Sequence, residues 1–266
     1  MRRLAVHNPF NAPVYHERTV SSTMDVSRTL AQAGEPHGTV ITADVQATGR
    51  GRVQGRAWDS EKDGLYFTVL LRYPRIENIP AALTLRVGAA VAHAIEDFSP
   101  VLKGTVMIKW PNDILLKVGS GEWGVGSRVV ARKVVGILAE ADGGNVHVGV
   151  GVNVGQRQFP PQLRDKATSI YLAAGKVGRR FALLEMILEH LHGEIAEPAI
   201  TGANWKGRIE QRLYKKGEEV SFAEGAADSP DIVTGHLAGI GEGGELLIVP
   251  HGETSARSFV TGEIRF

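Results

Sequence analysis

QATGRGRVQGRAW, at residues 46–58, places three arginines among three glycines and ends in a tryptophan. Because glycine has no side chain, backbone amides in such a stretch can approach an anion closely, and guanidinium groups can surround it. The spacing differs from the Gly-x-Gly-x-x-Gly dinucleotide fingerprint, and the sequence contains no Walker A pattern. The stretch predicts a cationic, glycine-hinged loop for an anionic ligand. The alternative is a flexible basic turn without a ligand.

Apolar, β-rich runs flank this loop. Residues 39–44 (TVITAD) precede it and residues 65–71 (LYFTVLL) follow it, so the loop should join two core strands. Ser22 and Thr23 stand directly before a helical pattern that ends near Gly34. Their hydroxyls are expected to cap that helix, and at a pocket mouth they could also bind a ligand.

A helix and four strands are predicted in the middle of the chain. The helix covers residues 80–98, and two of the strands cover residues 106–110 and 114–117. Because Pro111 ends the first of these strands, Asn112 and Asp113 should project at a strand end, unless they form only an ordinary turn.

The other two strands, residues 129–140 and 146–154, should form a hairpin. Glycines at positions 149 and 151 indicate that something presses on that sheet. By strict alternation Lys133 shares a face with Ala131 and Val135, and it is either an edge lysine or a cation pointing into a pocket.

The C-terminal part of the chain has a different sequence pattern. Short β-runs separated by glycine cover residues 219–222, 232–240, 245–249 and 258–266, which is typical of a small β-barrel. Helices are predicted just before them, over residues 181–195 and 204–213. We therefore expect two domains, residues 1–213 and 214–266.

Composition argues against several classes of protein. The sequence has no cysteine, which excludes disulfides, thiolate metal sites and a cysteine nucleophile. The net charge of +1 lacks the one-sided excess of nucleic-acid or membrane-surface proteins. We find no signal peptide and no stretch that approaches a membrane span. His190 and His192 should face different ways on their helix, so no metal-binding residues are assigned. We expect a cytoplasmic protein that binds neither nucleic acid nor membrane.

Five motifs, in order, resemble those of biotin protein ligases: Ser-Thr at 22–23, the loop at 46–58, KWPND at 109–113, RKVVGILAE at 132–140 and GVGVN at 149–153. The resemblance covers nearly the whole chain. It implies an α+β fold, in which helices pack on a mixed sheet as in class II synthetases. The GEI at 262–264 resembles part of the family's small C-terminal Src-homology-3-like barrel.

The resemblance also implies an enzyme. It would activate biotin with ATP and Mg²⁺ as biotinyl-5′-AMP, release pyrophosphate, and transfer biotin to a lysine of a biotin carboxyl carrier protein. The implied catalytic residues are Lys133, Arg50, Arg52 and Asp113, with Asp113 as a hypothetical proton acceptor or orienting group for the lysine.

The substrate-binding residues that the resemblance implies divide by ligand. Those for the biotin ring are Ser22, Thr23, Met24 and Gln46. Those over the biotin carboxylate and the phosphate are Gly49, Arg50, Gly51, Arg52 and Lys133. Those near the nucleotide and at the border of the pocket are Trp58, Asn112, Asp113, Gly136, Gly149 and Asn153. Of these, Trp58 should stack on adenine. Lys109 and Arg56 are lower-ranked candidates for substrate binding.

Some features depart from the family pattern. Met24 replaces the usual asparagine, the loop has an extra residue between Arg52 and Arg56, and the glycine-rich stretch at 119–128 is longer than usual. An N-terminal helix-turn-helix domain is missing from the sequence, so operator binding is not expected. Two alternatives stay open: a lipoate–protein ligase using the same acyl-adenylate route, and a non-catalytic regulator that binds biotinyl-adenylate. The protein could be a monomer or a homodimer.

Overall fold

The computed structural model describes residues 1–52, 58, 60, 62–120, 128–196, 204–225 and 229–265. In the larger part of the chain the strands are β1 (Arg2–Arg3), β2 (Val14–Val20), β3 (Thr39–Gln46), β4 (Leu65–Arg72), β5 (Val106–Lys109), β6 (Asp113–Ser120), β7 (Arg128–Asp142) and β8 (Asn145–Val152). The helices are α1 (Thr23–Gln32), α2 (Leu83–Phe98), α3 (Ile170–Ala174), α4 (Arg180–Ala196) and α5 (Trp205–Glu210). The C-terminal strands are β9 (Glu219–Glu224), β10 (Ile232–Ile240), β11 (Leu246–Pro250), β12 (Arg257–Phe259) and β13 (Gly262–Ile264).

The first eight strands form one mixed sheet in the order β1-β2-β3-β4-β8-β7-β6-β5. Strands β2 and β3 are parallel, and the other neighbours are antiparallel. The predicted hairpin is confirmed as β7 and β8. Because β3 and β4 are adjacent, the glycine–arginine loop does join two core strands, as the sequence predicted.

The two faces of this sheet have different roles. Alternation along β4 turns Phe67 and Val69 into the core that contains α2 and α4, whereas Thr68 donates a hydrogen bond to Thr23 at the start of α1. Helix α1 therefore covers the face opposite α2. That second face carries the candidate site.

The stretch Ile76–Phe98 is long and apolar enough to cross a membrane by length and composition, which corrects the sequence expectation that no stretch approaches a span. More than half of it is buried inside the protein. Most of it is α2, which packs between the large sheet and α4, so its apolar character serves the core.

The five C-terminal strands form a second sheet in the order β12-β11-β10-β9-β13. The single strand predicted over residues 258–266 is wrong, because the chain turns after Phe259 and re-enters the sheet at Gly262, whose φ is +147°. The Trp110 indole nitrogen donates to Gly244 O at 2.9 Å. This contact places the C-terminal sheet beside the KWPND turn.

Strand β7 contains an extra residue. Opposite β6, Ile114 pairs with Val135 and Leu115 pairs with Lys133, so Val134 has no partner of its own there. The predicted alternation is therefore wrong: Val135 points into the core, while Lys133 joins the face of Gly136. Beyond this bulge β6 and β7 pair as far as Ser120 and Arg128, and the predicted glycine-rich excursion between them lies mostly outside the described residues.

Candidate active site

A hydrogen-bonded group of polar side chains forms one end of the site. Ser22 caps α1 by accepting a hydrogen bond from Met24 N at 3.3 Å, which confirms the predicted cap for Ser22 but not for Thr23, the first residue of the helix. The backbone nitrogen and hydroxyl of Thr23 donate to Gln46 Oε1 at 2.9 and 3.0 Å. Gln46 Nε2 in turn donates to Ser60 Oγ at 3.2 Å. The α1 cap, the end of β3 and the far side of the loop are thereby linked.

Glycines form the floor on which other side chains rest. A Cβ added at Gly136 or Gly151 would lie 2.6 Å from the Trp58 ring, and one at Gly149 would lie 3.1 Å from Met24 Sδ. The prediction that something presses on the sheet at positions 149 and 151 is confirmed. Sequence reasoning did not assign Gly151 or Ser60 to the site, although the glycine spacing on β8 was a usable signal for Gly151.

Lys133 and Asp113 form an ion pair in which Nζ lies 2.6 Å from Oδ1. Lys133 Nζ also lies 5.3 Å from the centre of the Trp58 ring, within the range of a cation–π contact. The Lys133 side chain is one-third exposed, so it can meet a ligand from the cavity. The structure thus brings together the predicted lysine, carboxylate and tryptophan.

The described arginines of the loop hydrogen-bond within the protein. Arg50 Nη2 lies 2.6 Å from Asp25 Oδ1 on α1, and Arg52 Nη2 donates to Gly262 O of β13 at 3.0 Å. Trp58 N donates to Gly49 O at 2.9 Å, which closes the loop on itself. Arg56, also predicted for this site, lies outside the described residues.

Lys109 lies at the end of β5, almost fully buried, with Nζ 3.7 Å from Glu263 Oε1. Burial lowers the pKa of its ammonium, while the carboxylates of Asp113 and Glu263 act in the opposite direction. The C-terminal sheet therefore contributes charge to the same region as the KWPND turn.

Two cavities adjoin at these residues. One has a volume of about 250 Å³ and the other about 60 Å³. Ser22, Thr23, Met24, Gln46 and Arg50 line the smaller one. Five residues line both: Gly51, Arg52, Trp58, Asn112 and Lys133. Arg52 and Lys133 therefore lie where the two cavities adjoin.

Several lining residues of the larger cavity were not predicted. Asn112 and Asn153 were predicted; their amide groups donate to backbone oxygens of Ile137 and Thr168 at 2.7 and 3.0 Å. The wall that sequence reasoning missed consists of Gln156, Phe159, Pro160, Leu163, Ala167 and Glu263. Within the described chain, Gln156 Oε1 is buried without a hydrogen-bond partner, which suits a donor group on a ligand.

Comparison with known families gives one match over more than half of the chain. A model of the Biotin/lipoate A/B protein ligase family matches residues 15–156. That span contains α1, the glycine–arginine loop, the KWPND turn and both strands of the β7–β8 hairpin.

Two curated relatives carry ligase names. The chain is 34% identical over 183 residues to "Bifunctional ligase/repressor BirA" of Bacillus subtilis (strain 168), covering 66% of this chain and 51% of that protein. It is 28% identical over 184 residues to "Biotin--[acetyl-CoA-carboxylase] ligase" of Mycobacterium tuberculosis, covering 68% and 62%. The chain spans about half the length of the Bacillus relatives that it matches.

Solved structures resemble nearly all of the chain. "Biotin protein ligase from Aquifex aeolicus in complex with biotin and ATP" is 30% identical with a TM-score of 0.75, covering 95% of this chain and 97% of that one. "Biotin Protein Ligase From Leishmania Major in complex with Biotinyl-5-AMP" is 24% identical with a TM-score of 0.63, covering 95% and 98%, and shows the shared fold.

Proposed function

Because the chain belongs to the Biotin/lipoate A/B protein ligase family, we propose that it is an ATP-dependent biotin–protein ligase. It joins the carboxylate of biotin to the α-phosphate of ATP, releases pyrophosphate, and passes biotin from biotinyl-5′-AMP to a lysine of a carboxylase carrier protein. The observation that carries this proposal is the meeting of two cavities at Arg52 and Lys133.

The smaller cavity carries the polar groups that suit the ureido end of biotin. Its closed end presents the Ser22 and Thr23 hydroxyls and the Gln46 amide, which can hydrogen-bond the ureido ring. Gly136, Gly149 and Gly151 also line this cavity, with Met24 and the Trp58 ring packed against them. Met24, where the family usually has asparagine, gives that end an apolar side chain instead of one polar contact.

The larger cavity suits ATP. It offers Trp58 for stacking on the adenine ring, and Gln156 Oε1 as an acceptor for the exocyclic amine. The biotin carboxylate and the α-phosphate then meet beside Lys133 and Arg52, whose charges stabilise the negative charge of the transition state. For Arg50 and Arg52, the substrate anions replace Asp25 and Gly262 O as hydrogen-bond partners.

The second step needs an uncharged amine. A free lysine has a pKa of about 10.4, so the acceptor lysine must lose a proton before it attacks the acyl carbon. Asp113 borders the cavity and is the carboxylate that we assign to this proton or to orienting the amine. AMP leaves as the amide bond to biotin forms.

Mg²⁺ accompanies ATP in this proposal. The described residues hold no group of three or more His, Cys, Asp or Glu that could bind a metal ion by itself. Mg²⁺ is commonly held by one or two carboxylates together with substrate phosphates and water. The site therefore fits an ion that arrives with ATP. Asp113, with Asn112 beside it, would hold that ion, which would screen the charge of pyrophosphate.

We also infer the finer organisation of the chain. Residues 1–213 form the catalytic domain, and residues 214–266 form an Src-homology-3-like barrel, supported by the five-stranded C-terminal sheet. The protein acts in the cytoplasm as a monomer or homodimer, and it needs neither nucleic acid nor membrane for this reaction.

One experiment tests the activity and its alternatives. The chain is incubated with ATP, Mg²⁺, a carrier domain and either biotin or lipoate, and the carrier is analysed by mass spectrometry. A biotinylated lysine supports the proposal, and a lipoylated one supports the lipoate ligase. One burst of pyrophosphate per chain without a labelled carrier identifies a regulator.

A further inference from the structure

One guanidinium group connects both ends of the glycine–arginine loop. Arg180, the first residue of α4, contacts Asp44 on β3 through Nη2. Its Nη1 donates to Lys62 O at 2.9 Å and to Gly64 O at 3.3 Å. Asp44 lies just before the loop and Lys62 and Gly64 lie just after it. Arg180 therefore ties the entry of the loop to its exit.

Asp44 has Arg180 as its cationic partner at neutral pH. His16 Nε2 on β2 also lies 3.4 Å from Asp44 Oδ1, but burial lowers the pKa of the His16 ring and keeps it neutral. The Arg180 guanidinium rests 5.1 Å from the centre of the Phe181 ring, and His16 packs on the same ring edge to face. Packing thus fixes the direction in which Arg180 points.

Arg180 does not reach the candidate active site itself. It is absent from the lining of both site cavities and lines a separate outer groove with Lys62, Asp63 and Gly155. Gly155 N donates to Asp63 O at 2.8 Å, which is a second, independent tie at the exit of the loop. Any effect of Arg180 on the reaction must therefore act through the loop.

From this geometry we propose that Arg180 is a positioning residue, which holds Arg50, Arg52 and Trp58 over the cavities by fixing both ends of their loop. The inference rests on the proposed function, because what those three residues retain is the reactive adenylate. Charge-assisted hydrogen bonds are stronger than neutral ones, and fixed ends limit the conformations open to the residues between them.

The test compares Arg180→Ala with Arg179→Ala. Arg179 is the adjacent exposed arginine, and within the described residues its side chain makes no ion pair. Hydrogen–deuterium exchange is measured on peptides covering residues 44–52 and 62–64. We expect about tenfold faster exchange in Arg180→Ala, because the loop ends open more often. Arg179→Ala should match wild type.

The second readout is retention of the intermediate. Enzyme is loaded with biotin and ATP, freed of excess substrate, and the escape of biotinyl-5′-AMP is timed. Arg180→Ala should release it about tenfold faster than Arg179→Ala. Arg180→Lys should lie between them, because an ammonium can keep Asp44 but cannot reproduce the planar fork that also reaches two carbonyls.

Equal exchange and equal escape in Arg180→Ala and Arg179→Ala would overturn the inference. If Arg180→Ala does not fold, Arg180→Lys and Asp44→Asn are compared with Arg179→Ala in the same two measurements. A wild-type chain that forms no adenylate from biotin and ATP refutes the proposed function instead, and the exchange measurement still decides whether Arg180 positions the loop.

Discussion

The ammonium nitrogen of Lys133 lies 2.6 Å from a carboxylate oxygen of Asp113. This contact depends on the bulge in β7, since regular alternation would have placed Lys133 on the same face as the buried Val135. The bulge therefore turns the Lys133 cation toward the β6 carboxylate that orients it.

Replacing Lys133 by methionine should lower the rate of biotinyl-5′-AMP formation by about one to two orders of magnitude, since a charge-assisted hydrogen bond is worth about 1.5–3 kcal/mol. ATP–pyrophosphate exchange measures this rate. Lys117→Met is the control, because Lys117 is an exposed lysine on the neighbouring strand β6. An unchanged rate in Lys133→Met would remove Lys133 from the mechanism.

Asp113→Asn separates the two steps. If Asp113 takes the proton of the acceptor lysine, the variant should transfer biotin slowly near neutral pH and recover as the pH approaches the amine pKa of about 10.4. Single-turnover transfer from preformed adenylate, followed between pH 7 and 10, measures this. Equal slowing of both steps without a change in pH profile would exclude Asp113 as the proton acceptor and leave it the roles of orienting Lys133 and holding Mg²⁺.

A methyl group added at Gly151 should displace Trp58. The added Cβ would lie 2.6 Å from the indole ring, so Gly151→Ala should raise KM for ATP severalfold while the fold persists. Gly193→Ala on α4 is the matched control, because nothing lies within 4 Å of its Cβ. It should keep normal kinetics and stabilise the helix by roughly 0.5–1 kcal/mol. A normal KM in Gly151→Ala would exclude Trp58 from nucleotide binding.

Periodicity predicted the elements that frame the site, because their apolar patterns are long and regular. Helix α2 begins at Leu83 rather than residue 80, since Ala82 adopts a left-handed conformation before it. Strand β2 was missed because a segment rich in asparagine and proline precedes it, and because Glu17 and Arg18 interrupt its apolar pattern.

The site itself was predictable only where its residues are neighbours in sequence. In the glycine–arginine loop and the KWPND turn, the residue types and their spacing along the chain indicate the chemistry by themselves. Gln156 and Glu263 reach the cavity through packing between distant segments. No local pattern marks Gln156, and the GEI motif indicated a barrel strand at Glu263 but no place in the site. The roles of the individual site residues stay predictions until the variants are measured.

Stability should fall as the pH decreases below about 6.5, the ordinary pKa of histidine. Burial lowers the pKa of His147, whose Nδ1 lies 2.8 Å from Ser27 Oγ. The unfolded chain takes up a proton below that pH while the folded chain resists it, so stability is lost as the pH falls through 6.5 toward the lowered value. Thermal melting between pH 8 and 5 measures the loss.

His147→Gln should reduce the loss of stability between pH 8 and 5 without abolishing it. The remainder comes from other histidines, because burial also lowers the pKa of His16, His37 and His93. His251→Gln is the control, since that side chain is more than half exposed. If the melting temperature depends on pH identically in His147→Gln and wild type, His147 does not contribute to the loss of stability.

In the proposed reaction, Arg52→Gly should make the transfer of biotin promiscuous. Arg52 lines both cavities and donates to Gly262 O, so its loss removes a cation from the reacting centre and a tie to the C-terminal sheet. The adenylate is a mixed anhydride that reacts with any accessible amine, and a less enclosed site would let it escape. The ratio of biotin on a bystander protein to biotin on the carrier should rise about tenfold or more. Arg52→Lys keeps the charge and should raise that ratio less; if Arg52→Gly leaves the ratio at the wild-type value, Arg52 does not retain the intermediate.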